Sequence, residues 1–165
     1  MRNIVLIAHN LRSCHNVGSL LRTADGLGVS KVYLTGYTPY PFGKNDSRLP
    51  HIAQKLHKQI QKTALGAEQT VNWNYCENID SLLNKLKSEN FDIVALEQAE
   101  GSVQINKWKP TPAIALVLGR ETDGIEQEVL SRCDKTIEIP MFGKKESYNV
   151  VQAAAMALFY ARFTK

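Results

Sequence analysis

The sequence predicts one doubly wound α/β domain on a mainly parallel sheet flanked by helices. Three observations carry this: short runs rich in Val, Ile and Leu, helical apolar patterns between them, and polar, glycine-bearing loops where the runs end. Continuous rather than alternating apolar runs mark strands buried on both faces, as parallel sheets require. Strands that alternate with helices imply right-handed crossovers and a single sheet. At 165 residues, the chain has material for one domain that buries roughly two-thirds of its unfolded surface. No linker, repeat or low-complexity run divides it.

The first expected strand is 4–8, and it stops at His9 and Asn10. Its apolar run falls far short of the roughly 20 residues of a membrane helix and lacks signal-peptide organisation. A helix over 16–27 follows, because Val17, Leu20, Leu21, Ala24 and Leu27 recur at helical spacing and Gly28 suits a C-terminal stop. The next strand is 31–35. The loop GYTPYPFGKNDSRLP at 36–50 is longer than most connections in a compact domain. Tyr37, Tyr40 and Phe42 there can stack on unpaired bases while Lys44 and Arg48 meet phosphates, or the segment is a proline-rich surface loop.

Beyond the loop, Ile52, Leu56 and Ile60 step by four on a second helix whose Lys55, Lys58 and Lys62 lie toward the other side. A strand over 71–75 and a helix over 80–90, with Leu82, Leu83 and Leu86, come next. Strands at 92–96, 113–118 and 136–139 complete the sheet, with a shorter helix at 125–132. The chain ends in ESYNVVQAAAMALFYARF, 146–163, a helix with a polar start and an apolar body. Ser147 and Asn149 either cap it, or the polar start is a ligand site at a helix N-terminus.

Composition narrows the function. A net charge of +4 tilts the partner toward a polyanion. Cys14, Cys76 and Cys133 are odd in number and widely spaced, which suits reduced thiols in a cytoplasmic chain rather than a disulfide framework or a metal site. His9, His15, His51 and His57 form no ligand cluster, so no metal is expected. There is no GxGxxG after a strand, no GxxxxGK[ST] and no GxSxG. In open α/β sheets ligands bind beyond the carboxyl ends of strands. The loaded loops there are HNLRSCHNVG, EQAEGS, GRETDG and PMFGKKESYN.

NVGSLLRTADGLGVSKVYL from Asn16, ALVLGRETDGI from Ala115 and IPMFGKKESYNVVQAAAMAL from Ile139 stand in that order along the chain. Together they resemble the three motifs of the SpoU or TrmH class of RNA methyltransferases, within the SPOUT superfamily. KTALGAE at 62–68 fits members of that class as well, so the resemblance covers essentially the whole chain. Arg120 and Thr122 beside Glu121, and Tyr148 between Ser147 and Asn149, depart from the commoner residues of that class.

The resemblance implies a trefoil-knotted α/β fold, S-adenosylmethionine as methyl donor, a ribose 2'-hydroxyl of RNA as acceptor and a homodimer. A knot is something chain physics disfavours, so periodicity cannot reveal it. With the last helix tucked through an earlier loop, its polar start and apolar body would both be enclosed. Carried over residue by residue, the cofactor site comprises Leu96, Gly119, Glu121, Ile139, Met141, Ser147, Tyr148 and Asn149. The catalytic set is Arg22 with Asn16, Glu121, Ser147 and Asn149, which would orient the hydroxyl and hold Arg22; Glu121 is alternatively a support for a helix N-terminus only. Making an arginine a neutral base requires a fall of roughly six pKa units, about 8 kcal/mol. A positive Arg22 instead clamps the target phosphate and stabilises the developing alkoxide. The chain reads as a catalytic core without an appended RNA-binding domain, and its expected target is transfer RNA rather than ribosomal RNA. Two other classes compete: an inactive basic RNA-binding protein of the same fold, and a Rossmann-type enzyme whose phosphate-binding glycine loop is absent.

Overall fold

The computed structural model describes residues 1–43 and 46–164, and it follows the expected alternation. In chain order the elements are β1 (Asn3–His9), α1 (Cys14–Gly26), β2 (Lys31–Thr35), α2 (Pro50–Ala64), α3 (Ala67–Thr70), β3 (Trp73–Cys76) and α4 (Ile79–Ser88). Then come β4 (Asp92–Leu96), β5 (Val103–Gln104), a 3₁₀ turn at Ile105–Lys107, β6 (Ala113–Leu118), α5 (Gln127–Leu130), β7 (Lys135–Glu138) and α6 (Val150–Phe163). The strands form one sheet in the order β3-β2-β1-β6-β4-β7-β5, and every pairing is parallel.

Alternate residues of the strands feed two cores. Ile4, Leu6, Ala8, Val32, Leu34, Ile114, Leu116 and Leu118 pack against α1, α2 and α6. Val5, Ile7, Tyr33, Ile93, Ala95, Ala115 and Val117 face α4 and Val129 of α5. Burial on both faces is why the strands read as unbroken apolar runs.

Departures from the expected boundaries have local causes. Ser13 caps α1 by accepting the Asn16 N–H at 3.2 Å, so the helix begins before residue 16. Gly28 at φ 62° ends it, with Val29 N–H to Ala24 O at 2.9 Å and Gly28 N–H to Asp25 O at 3.1 Å, the paired bonds of a glycine C-terminal motif. Val71 closes the short α3 by donating to Ala67 O, which delays β3 to Trp73. Ile125 donates to Glu97 Oε2 at 2.9 Å and Glu126 is extended, so α5 starts only at Gln127. The two-residue edge strand β5 and the single turn α3 are too short to give a periodic signal.

α6 is not enclosed as expected. Ala154, Ala157, Leu158 and Ala161 are buried against the sheet and α1, whereas Phe159 and Phe163 are 58% and 65% exposed. The polar start, Ser147, Tyr148 and Asn149, is exposed as well. Arg2 donates to Ala161 O and Thr164 O, while Arg162 donates to Leu27 O, Arg2 O and Gly28 O, so the end of α6 is tied to β1 and to the end of α1.

Candidate active site

The carboxyl ends of β4, β6 and β7 open into a cavity of about 250 Å³, with the start of α6 as its fourth side. Six of the eight residues expected to hold the cofactor line it: Leu96, Gly119, Glu121, Ile139, Ser147 and Tyr148. Met141 and Asn149 lie outside the lining.

After β6 the chain forms a tight hairpin, closed by Arg120 N–H to Gly124 O at 3.0 Å and Gly124 N–H to Arg120 O at 3.2 Å. Gly119 is required by this turn: a Cβ there would lie 2.5 Å from the backbone of Gly124 and Ile125. The close approach is therefore made by the chain's own loop. Gly124, at φ 70°, faces Glu97, whose Oε2 a Cβ would meet at 2.2 Å. Glu97 accepts from Ile125 N–H and from Gln98 N–H, both at 2.9 Å, and so fastens the hairpin to the loop after β4. The sequence reading omitted Glu97, although it stands in the EQAEGS loop directly after an expected strand.

The hairpin tip carries Glu121 to α1. Its carboxylate accepts from Asn16 Nδ2 at 2.9 Å and from the backbone N–H groups of Arg12 and Ser13, each at 3.2 Å. Burial acts to raise this carboxyl, but those hydrogen bonds outweigh it and hold it below the ordinary range. Asn149 Nδ2 reaches Asn16 Oδ1 at 3.4 Å while its own Oδ1 accepts Val151 N–H at 2.9 Å. Asn149 thus caps α6 and joins the bridge, while Ser147, two residues earlier, lines the cavity. The structure brings Asn16, Glu121 and Asn149 together. It does not bring Arg22 to them: Arg22 is exposed on α1 and makes no hydrogen bond with that group among the described residues.

Behind the hairpin lies a second polar cluster. Arg120, a lining residue, pairs with Glu126 and, at 3.5 Å, with Asp123. Glu126 also accepts from Asn10 Nδ2 at 2.8 Å and lies 3.5 Å from Nε2 of the buried His9, whose Nδ1 is 2.8 Å from Thr35 Oγ1. Burial holds His9 below the ordinary histidine value despite Glu126. His9 is thus a core histidine.

The loop at 36–50 needs a correction. Arg48 is not a free cation. It pairs with Asp46, donates to Tyr40 O at 3.1 Å and Pro41 O at 3.2 Å, and lies 3.4 Å over the Tyr40 ring. Its hydrogen bonds bring the Asp46 carboxyl down to about 2. Tyr40 in turn stacks on Tyr75 at 4.2 Å. These two residues brace the loop, whereas Tyr37 and Phe42 remain half exposed; Lys44 lies outside the described residues. Among the described residues no group of three His, Cys, Asp or Glu could hold a metal, and no helix is long and apolar enough to cross a membrane.

Residues 3–159 match the model of the SpoU rRNA Methylase family. The chain belongs to that family. Its relatives include a tRNA (guanosine(18)-2'-O)-methyltransferase of Aquifex aeolicus, 30% identical over 98% of this chain and 69% of that protein. A 23S rRNA (guanosine-2'-O-)-methyltransferase of Neisseria meningitidis is 31% identical over 96% of this chain and 58% of its own length. The AdoMet-bound rRNA methyltransferase structure from Sinorhizobium meliloti superposes with a TM-score of 0.79 at 22% identity, over 97% of this chain and 56% of that one. The chain thus spans about three-fifths of most of these SpoU-family relatives, and the SpoU fold is the one observed here.

Proposed function

We propose that this chain transfers the methyl group of S-adenosylmethionine to a ribose 2'-hydroxyl of RNA. One observation carries the reading: Glu121 both lines the cavity and holds Asn16, which Asn149 reaches from the other side. A small-molecule pocket and a polar bridge made from two separate helix starts therefore share one carboxylate.

The lining suits this cofactor. Leu96, Leu118, Ile139 and Val150 offer apolar surface for a purine, and the strand ends at Gly119 and Ile139 leave backbone groups for its edge. Among charged lining residues, Glu97, Glu121, Asp123 and Glu138 outnumber Arg120. That balance favours a cationic sulfonium and disfavours a nucleotide polyphosphate. When bound, the cofactor supplies an electrophilic methyl group. Asn16, Glu121 and Ser147 orient the ribose hydroxyl, and its proton leaves to a phosphate oxygen or water. A positive Arg22 clamps the target phosphate and stabilises the alkoxide. Since Arg22 stands apart from the bridge within one chain, a second copy supplies it in a homodimer.

Transfer RNA is the favoured target, as a compact substrate that a dimer of such cores can hold; the Aquifex relative is named for transfer RNA and the Neisseria relative for 23S rRNA. Three free thiols and an RNA substrate suit the cytoplasm. The test is incubation with labelled S-adenosylmethionine and, separately, total transfer and ribosomal RNA, followed by nuclease digestion. A labelled 2'-O-methylnucleoside from transfer RNA is the expected result. Its absence from both pools would leave an RNA-binding protein without methyl transfer.

A further inference from the structure

We infer that the exposed face of α2 is the surface along which RNA is held while it reaches the site, a conclusion that rests on the reading of the chain as an RNA methyltransferase. His51, Lys55, Lys58 and Lys62 follow one another at steps of four, three and four, which aligns them on one side of the helix. Three of them are lysines at exposed positions, and α2 contains no Asp or Glu. Two shallow grooves run along this face and share Gln59 and Lys62; the second is flanked by Arg12 and His15. The stripe is about 16 Å long between His51 and Lys62, enough to lie along several backbone phosphates. Its far end is not arbitrary: the Arg12 N–H donates to Glu121 Oε2 at 3.2 Å, so the cations lead to the rim of the cavity.

The rest of the charge distribution argues that this stripe serves a ligand rather than solubility alone. Elsewhere on the molecule, Lys87 pairs with Asp134 at 3.1 Å, Lys135 with Asp92 at 2.8 Å, and Arg132 with Asp80. None of Arg12, Lys55, Lys58 and Lys62 has a carboxylate partner among the described residues. Unneutralised cations in a row attract a polyanion and release its counterions. A membrane surface is the poorer occupant. The apolar side of α2, Ala53, Ile60 and Ala64, is buried against α1, and the exposed Leu49 and Ile52 at its start do not make the continuous apolar face that insertion needs. Arg48 and Tyr40 of the neighbouring loop are fixed by one another, and α2 takes over the phosphate contacts assigned to that loop from sequence.

The experiment measures binding of a transfer RNA mixture across a salt series for wild type, for K55Q/K58Q/K62Q, and for a control, K87Q/K107Q/K109Q, that removes the same charge elsewhere. Three lost contacts should lower the slope of log affinity against log salt by about 2 in the stripe variant, with little change in the control. Cofactor affinity should be unchanged, while methyl transfer should show a raised KM for RNA with kcat kept. K55R/K58R/K62R should bind like wild type, which guards against a folding defect; loss of binding in it would overturn the assignment. Equal slopes for wild type and the glutamine variant would also overturn it. So would wild-type retention by vesicles containing a quarter anionic phospholipid in place of RNA. If the slopes differ as expected but no methyl is transferred by any form, the docking face stands and the methyltransferase reading fails.

Discussion

Glu121 shows how much one carboxylate can coordinate. It accepts three hydrogen bonds from α1 and the turn before it, so replacing it with glutamine keeps the shape but sets an NH2 donor against at least one N–H, that of Arg12 in the better amide orientation, and removes the negative charge. Glu121→Gln should weaken S-adenosylhomocysteine binding measured by calorimetry, with methyl transfer falling further; unchanged values for both would remove it from the site. Arg22→Ala should abolish methyl transfer while leaving that affinity nearly unchanged, and Arg22→Lys should rescue poorly because it lacks the planar fork. Near-normal turnover in Arg22→Ala would end its catalytic assignment. The buried His9 and the bridged carboxylates Glu121 and Glu126 give stability a defined pH dependence. All three have folded values below their ordinary 6.5 or 4.5, so the unfolded chain binds protons first and stability rises with pH. The histidine contribution is full above 6.5 and is lost as pH falls below it; the carboxylate contributions are full above 4.5 and are lost below. The thermal midpoint should therefore fall between pH 7 and 5.5, and less steeply in His9→Gln measured against its own pH 7 value. Parallel declines in the two proteins would assign the effect to other groups.

At the scale of elements, α1 organises its side of the sheet because it packs against α2, α3 and α6. Its Gly18 lies so close to α2 that a Cβ would meet Ile60 O at 2.2 Å and Thr63 Oγ1 at 2.3 Å, and Thr63 Oγ1 donates to His15 O at 2.8 Å. Gly18→Ala should push α2, and with it the cation stripe, away from α1 at about 1–3 kcal/mol of stability. Denaturant unfolding measures this, and a loss below about 0.5 kcal/mol would show that the pair relaxes freely. The alternation of elements was legible in sequence because strands buried on both sides read as unbroken apolar runs, as at Ile4, Leu6 and Leu116. The close helix contact was not: a glycine inside a helical pattern looks the same whether it faces solvent or a backbone carbonyl. Motif residues located the cavity loops, yet Arg22 and Asn16, six positions apart on one helix, received a joint role that a single chain does not display. Arg48 was misread because its partner Asp46, two residues earlier, forms an ion pair with it whose strength depends on burial, which sequence spacing does not report.

For the molecule as a whole, α6 poses the remaining question. Its inner side is small and buried, but Met156, Phe159 and Phe163 are exposed, and the two phenylalanine rings pack on one another with centroids 4.6 Å apart. An apolar helix face of this kind is ordinarily covered. In the homodimer proposed above, a second copy covers this face and also supplies Arg22, because α6 lies beside α1 and Arg22 is exposed there with no hydrogen bond to the bridge of its own chain among the described residues. Symmetric association makes each copy both donor and recipient of such a residue. Sedimentation should therefore report a mass near twice 18.5 kDa, and Phe159→Lys with Phe163→Lys should shift it to the monomer and remove activity. The sharper test mixes two inactive proteins. Arg22→Ala keeps the cavity, whereas Ala153→Phe fills it from the first turn of α6 and should prevent cofactor binding. If Arg22 acts across the interface, hybrid dimers contain one intact combination and regain up to about a quarter of wild-type activity at equal mixing, since half the dimers are hybrids and each has one working site of two. A monomeric mass with full activity would refute the dimer. A dimer whose hybrids stay inactive would refute only the sharing of the site, and would require Arg22 to reach the ribose from its own chain by a movement of α1 relative to Glu121.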